Sequence, residues 1–308
     1  MTISRRNLIK WGTGAGLVAA SGAWGPLMAG SSELIMTTIP STGEQVPSIG
    51  IGTVDFRGKV GSPDYQRFTE VFKAFHDGGG RLIDTSPNYG NSEVVMGSLM
   101  KDAGLRDKMF VATKVDRETR EEGIKRMDES FLQLGGDQID LMQVHNLRGT
   151  DVQLETMNKM KAEGKLRYIG ITTHTSRQYE EFEAAMRAHK LDFIQVNYSL
   201  SDREAEKRIL PLAQEQGLGV LVNRPFNDGK MFSAVVNRPL PDWAAEIDCQ
   251  SWGQVFLKYV ISHPAATIPI PGTTKPHHAA DNIGALKGRL PDANLRKEME
   301  SLMEFLLK

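Results

Sequence analysis

A single cysteine in 308 residues leaves no partner for an intramolecular disulfide and no cysteine cluster for a metal. Cys249 reads as a small apolar residue near a helix start. A charge imbalance is missing too: 37 basic and 38 acidic side chains give a formal net charge of −1. No basic run follows residue 10, so nothing electrostatic points to nucleic acid as a partner. The chain has no His-x-His pair and no close His/Glu set, so a metal site, and with it a metal-dependent barrel hydrolase, is disfavoured.

A long uninterrupted apolar run is also lacking. The weakly apolar stretch from Trp11 to Met28 is broken by Gly12, Gly14, Gly16, Gly22 and Pro26, which disfavours a stable membrane span. It follows Ser4-Arg5-Arg6-Asn7-Leu8-Ile9-Lys10 and runs into small residues from Ala29 to Ser32. A charged start, a modestly hydrophobic middle and a small-residue end are the parts of an export signal, and paired arginines point to the twin-arginine route. The expectation is a twin-arginine signal peptide over residues 1–31, recognised by the twin-arginine export machinery, ahead of one domain over 32–308. The mature protein would then be periplasmic or secreted. Gly12-Thr-Gly14-Ala-Gly16 resembles a dinucleotide glycine loop, but no strand precedes it and no acid follows at the required place, so it belongs to the signal.

From about Ile49 onward, short apolar runs alternate with helical patterns. Ser48 to Gly52, Leu82 to Asp84, Met109 to Lys114, Ile139 to Val144, Leu166 to Ile171, Phe193 to Asn197, Gly219 to Asn223 and Thr267 to Pro271 read as strands. Helical patterns run from Tyr65 to Asp77, Asn91 to Ala103, Thr119 to Leu134, Val152 to Glu163, Ser176 to Ala188, Ala205 to Glu215, Gln250 to Ser262 and His277 to Leu286. In the second of these Val94, Val95, Leu99 and Met100 share one face. Eight such units over roughly 250 residues predict an α/β fold, a closed parallel (β/α)8 TIM barrel, in which chemistry sits at the carboxyl ends of the strands. There the sequence places Asp84, Lys114 and His145, with Tyr89 in the loop after the first of the three. Taken singly, each side chain also has a purely structural reading; together at one rim they predict a catalytic mouth.

The run Asp84-Thr-Ser-Pro-Asn-Tyr89-Gly-Asn-Ser-Glu93, then Lys114 and His145 after successive strands, resembles the aldo-keto reductase superfamily. The resemblance extends through Gly50-Ile-Gly52-Thr53, Gly164-Lys-Leu-Arg-Tyr-Ile-Gly170, Gln195-Val-Asn-Tyr198, Ile270-Pro-Gly272-Thr-Thr-Lys275 and Asn282. It implies an amino-terminal hairpin under the barrel floor, here Leu34 to Ile39 and Gln45 to Pro47 around Ser41-Thr-Gly43. It also implies hydride transfer between a nicotinamide cofactor and a small-molecule aldehyde, ketone or sugar. In that scheme Tyr89 donates the proton, Lys114 lowers the phenol's pKa, Asp84 holds Lys114, and His145 aims the carbonyl.

The same resemblance assigns cofactor contacts to Gly52, Thr53, Asp84, Thr172, Gln195, Arg224, Gly272, Thr273, Lys275, His278 and Asn282. It implies NADPH, with NADH as the alternative, because His278 stands where many relatives carry an arginine and a neutral imidazole holds phosphate less firmly. Thr172-Thr173 replaces the usual Ser-Asn pair, and Asn223-Arg224-Pro225-Phe226 replaces a stacking aromatic, which leaves Tyr198 or Phe226 for that role. Arg224 would contact a cofactor phosphate or an acidic substrate. Phe56, Phe232 and Trp243 are candidate apolar contacts at the rim, with Trp243 expected rather to pack beneath its loop. These departures keep open a second reading, a nicotinamide-binding regulatory or low-activity module on the same fold.

Overall fold

The computed structural model describes residues 33–307, so the segment read as an export signal lies outside the described residues. A hairpin of β1 (Met36–Thr38) and β2 (Gln45–Pro47) comes first. Eight parallel strands follow: β3 (Ile51–Gly52), β4 (Leu82–Asp84), β5 (Phe110–Val115), β6 (Ile139–Val144), β7 (Leu166–Thr172), β8 (Phe193–Asn197), β9 (Gly219–Asn223) and β10 (Ala266–Pro269). They lie side by side in chain order, the arrangement of a (β/α)8 barrel.

Closure depends on glycine. β3 has only two residues, and the ring is completed by a bridge from Gly52 to Gly272 and by the Gly50 N–H donating to the Pro269 carbonyl at 2.9 Å. A Cβ on Gly52 would sit 2.8 Å from the Ile270 carbonyl oxygen, too close for any side chain. The expected first strand, Ser48 to Gly52, is therefore shorter than its apolar pattern suggests.

The helices are α1 (Pro63–Asp77), α2 (Ser92–Asp102), α3 (Arg120–Leu134), α4 (Thr150–Ala162), α5 (Tyr179–Ala188), α6 (Ile209–Glu215), α7 (Lys230–Ala234), α8 (Trp252–Ile261), α9 (Pro276–Gly284) and α10 (Ala293–Leu306). Local chemistry sets their ends: Ser62 caps α1 by accepting from the Tyr65 N–H, with Pro63 in the first turn, and Thr119 caps α3 the same way. α6 starts later than the expected Ala205 because Pro211 has no N–H and is tolerated only in a first turn; the chain breaks at Arg208 (φ −142°, ψ −43°). α7 and α10 are additional to the eight expected helices.

Two apolar layers result. Between the strands and the helices lies the larger core. Inside the barrel, Leu82, Phe110, Leu141, Tyr168, Phe193, Leu221 and Ile268 fill the amino-terminal end together with Ile39 and Val46 of the hairpin. The hairpin thus plugs the floor, and the Thr42 hydroxyl meets the Tyr168 hydroxyl at 2.8 Å. No described helix is long and apolar enough to cross a membrane.

Candidate active site

The strands that end the floor in apolar rings end the mouth in polar ones. On β4, Leu82 is followed two residues later by Asp84; on β5, Phe110 leads to Lys114; on β8 and β9, Phe193 and Leu221 are followed by Gln195 and Asn223. A period of two keeps each pair on the inner face.

Lys114 is 2 % exposed, and its Nζ donates to both Asp84 carboxylate oxygens, at 2.8 and 2.7 Å, and to the Thr85 carbonyl at 2.7 Å. Burial alone would strip the proton from this ammonium, but the carboxylate and the neighbouring phenol outweigh it and hold the Lys114 pKa above its ordinary value. The Thr85 end is itself fixed. Ser92, at the start of α2, donates to Thr53 and meets the Thr85 hydroxyl at 3.1 Å, while the Thr53 hydroxyl donates to the Asp84 carbonyl. Glu93 beside it accepts from Thr113 of β5 and Ser130 of α3, which locks α2 against the strand that carries Lys114.

Tyr89 lies in the loop between Asp84 and α2, with Lys114 Nζ 5.2 Å from its ring centroid. Burial raises the phenol's pKa, the ammonium lowers it, and burial prevails. The Lys114 charge thus acts on the phenol in the expected direction, while burial keeps the phenol's pKa above its ordinary value. His145 opens the turn after β6, 3.3 Å from the Ser86 hydroxyl, with its ring edge-on to Tyr89 at 6.3 Å. Burial, then the Lys114 charge, lowers its pKa to about 3, so it is a neutral imidazole. The arrangement presents a neutral acid and a neutral hydrogen-bonding ring beside one buried positive charge.

These four side chains line a cavity of about 750 Å³ together with Gly52, Thr53, Thr172, Arg224 and Gly272. Gln195 is paired in register with Thr172; its Nε2 donates to Asn223 Oδ1 at 2.8 Å and its buried Oε1 has no partner among the described residues. That orphaned acceptor fits the amide group of a nicotinamide. Thr273, Lys275, His278 and Asn282 do not line the cavity; they follow Gly272 into α9, whose first turn lacks a side-chain cap. His278 is held below its ordinary pKa by burial and by His277 and Lys275, and so is mostly neutral near pH 7.

Two aromatic expectations are corrected. Phe56 is buried against Phe68 at 4.8 Å, away from the mouth. Tyr198 is fully buried beneath the barrel helices, its hydroxyl bonded to Glu206 and Arg296, so it cannot stack in the cavity. Phe226 does line the cavity, 4.9 Å from Phe232, and Trp243 is buried in the outer core. Sequence reasoning missed Asn146, whose backbone is left-handed (φ 54°) and whose N–H donates to the Thr172 hydroxyl at 3.1 Å. An asparagine directly after a strand-end histidine was the available signal, since asparagine tolerates that conformation. It also missed Asp55 on the cavity wall. Among the described residues, no group of three or more His, Cys, Asp or Glu side chains is placed to hold a metal.

A parallel barrel whose mouth couples a buried lysine and aspartate to a phenol and a neutral imidazole defines a site built for moving a proton. The chain belongs to the aldo/keto reductase family, whose model matches residues 48–302. It is 32% identical over 202 residues to the aldo-keto reductase YhdN of Bacillus subtilis, a match spanning 60% of this chain and 60% of that protein. It is 27% identical to the NADH-specific methylglyoxal reductase of Escherichia coli, over 83% of this chain and 95% of that one. A Klebsiella pneumoniae aldo/keto reductase solved with NADP and acetate has the same fold, with a TM-score of 0.74 and 24% identity, covering 88% and 96% of the two chains.

Proposed function

We propose that the protein is an exported oxidoreductase that transfers hydride between a nicotinamide cofactor, NADPH by preference or NADH, and an aldehyde, ketone or sugar carbonyl. The observation that carries this reading is Tyr89 held beside the buried Lys114 ammonium, lining one cavity with His145 and Asp84. The cofactor supplies the hydride, which no side chain can. Tyr89 gives its proton to the carbonyl oxygen as charge develops there, and Lys114 stabilises the phenolate left behind. Asp84 and the Thr85 carbonyl hold Lys114 in place. His145, neutral, orients the carbonyl by a hydrogen bond. Gly52 and Gly272 leave bare backbone at the cavity edge, Thr53, Thr172 and Gln195 offer polar contacts for the nicotinamide end, and Arg224 a cation. Lys275, with the uncapped start of α9, suits phosphate, while His278 and Asn282 follow on the same helix.

Both cofactors have support among relatives: the K. pneumoniae structure holds NADP and the E. coli reductase is NADH-specific. Fluorescence titration of the mature protein with each dinucleotide ranks them. Tyr89→Phe is expected to lower carbonyl reduction by about 10²- to 10⁴-fold, the usual contribution of a general acid, with dinucleotide affinity nearly unchanged. Wild-type turnover in that variant would falsify the assignment. Tight cofactor binding with negligible oxidation by any carbonyl would instead identify a regulatory module. Export rests on Arg5-Arg6 and the segment after it. Cell fractionation that finds the mature chain only in the cytoplasm removes that half of the proposal.

A further inference from the structure

Three carboxylates line the cavity, and two are already matched. Asp84 holds Lys114, and Asp228 lies 3.4 Å from the Arg224 guanidinium. Asp55, in the loop after β3, accepts at its backbone carbonyl from the Arg57 N–H, but its carboxylate has no hydrogen bond or ion pair among the described residues. With Lys114 and Arg224 both paired, Asp55 is the uncompensated charge on the wall.

Asn146 and His174 line the same cavity, with Asn146 Oδ1 2.9 Å from His174 Nδ1. The amide oxygen accepts there, so the imidazole donates through Nδ1 and its Nε2 is left as an acceptor. Asn146 Nδ2 is left as a donor. Neither has a partner among the described residues. A ligand therefore meets a charged acceptor, a neutral acceptor and a donor. An ammonium only donates and a carboxylate only accepts, whereas a hydroxyl does both. A carboxylate would also be repelled by Asp55.

We propose that the substrate is a neutral hydroxylated aldehyde or ketone, gripped by Asp55 through a hydroxyl beyond the reacting carbonyl, and that carboxylate-bearing carbonyls are refused. This rests on the reductase reading above and makes Asp55 its specificity residue. Charge-assisted hydrogen bonds are the stronger kind, so one lost contact of this type is worth about tenfold or more in kcat/KM.

The test compares kcat/KM, with whichever of NADPH and NADH the titration ranks first, for glyceraldehyde, propionaldehyde, aminoacetaldehyde and succinic semialdehyde in the wild type, Asp55→Asn and Asp55→Ala. The wild type is expected to favour glyceraldehyde over propionaldehyde by about tenfold, with succinic semialdehyde the poorest. Asp55→Ala should bring the glyceraldehyde to propionaldehyde ratio to within about threefold of unity, with Asp55→Asn between. Both variants should raise succinic semialdehyde relative to propionaldehyde. Reduction of propionaldehyde with a ratio that ignores Asp55, or a wild-type preference for aminoacetaldehyde or the plain aldehyde, overturns the hydroxyl inference alone. Absence of oxidation of both NADPH and NADH with every aldehyde overturns the reductase reading and the inference with it. Because Asp55 is exposed, thermal melts of the variants are expected to match the wild type, which confirms that the ratios report binding.

Discussion

The two ends of the barrel are made from the same strands and obey opposite rules. At the floor, Leu82, Phe110, Leu141, Phe193 and Leu221 interlock with Ile39 and Val46 of the hairpin, and the phenol of Tyr168 is satisfied by Thr42 and Glu44 at the edge. Two to four residues further along, the same inner face carries Asp84, Lys114, Gln195 and Asn223, and several polar atoms have no partner among the described residues. Gln143, aligned with Lys114 in the neighbouring strand, is fully buried with both amide atoms unpaired among the described residues. A buried polar group without a partner costs stability. The floor supplies stability, then, and the mouth gives some of it up to hold groups ready for a ligand.

The largest effect should come from breaking the one polar pair on which the mouth itself depends. Lys114→Met leaves the Asp84 carboxylate, 2 % exposed, without its counter-charge. Loss of one partner of a buried pair typically costs about 3–5 kcal/mol, and urea unfolding should read that amount. Lys114→Met with Asp84→Asn should recover much of the stability and none of the activity, which separates the pair's structural role from its chemical one.

At the floor the pattern should invert. Phe193 packs 6.1 Å from Phe110 and 5.4 Å from Tyr168, and its ring occupies the space that a side chain on Gly219 would need. Phe193→Ala should cost about 3–5 kcal/mol in unfolding experiments. Well below the melting temperature, kcat/KM should stay within about twofold of wild type, because the ring packs with Phe110 and Tyr168 in the floor layer. A large kinetic loss would mean that the two ends are mechanically coupled.

Much of this contrast is legible in the order of residues along the chain. The strands stand out because each is a short apolar run buried on both faces, and the rim stands out because ionisable residues terminate those runs. What the chain leaves illegible depends on distances across the fold. Barrel closure rests on the bare backbones of Gly50, Gly52 and Gly272, which the apolar pattern extends into a longer strand. Phe56 follows a strand just as a rim aromatic would, and only the position of Phe68 shows it to be core. Tyr89 has an ammonium for a neighbour, as its sequence setting implied, yet the degree of burial decides the direction of its pKa, and burial is a property of the assembled cavity.

That direction yields the smallest expected effect and the finest test of the mouth. With Tyr89 as the proton donor proposed above, carbonyl reduction needs the protonated phenol, so activity is expected to fall only as pH rises through a Tyr89 pKa that burial holds above the ordinary value of about 10. His145, with its pKa near 3, stays neutral through the range where histidine usually titrates. Reductive kcat/KM should accordingly change by less than about twofold between about pH 5 and pH 9. Oxidation of the alcohol runs the proton the other way and needs the phenolate, whose fraction grows about tenfold with each unit of rising pH below the pKa, so that rate should climb steadily over the same interval. A reductive limb near pH 6.5 would show His145 to be charged during turnover, and the burial argument for the whole rim would then have to be revised.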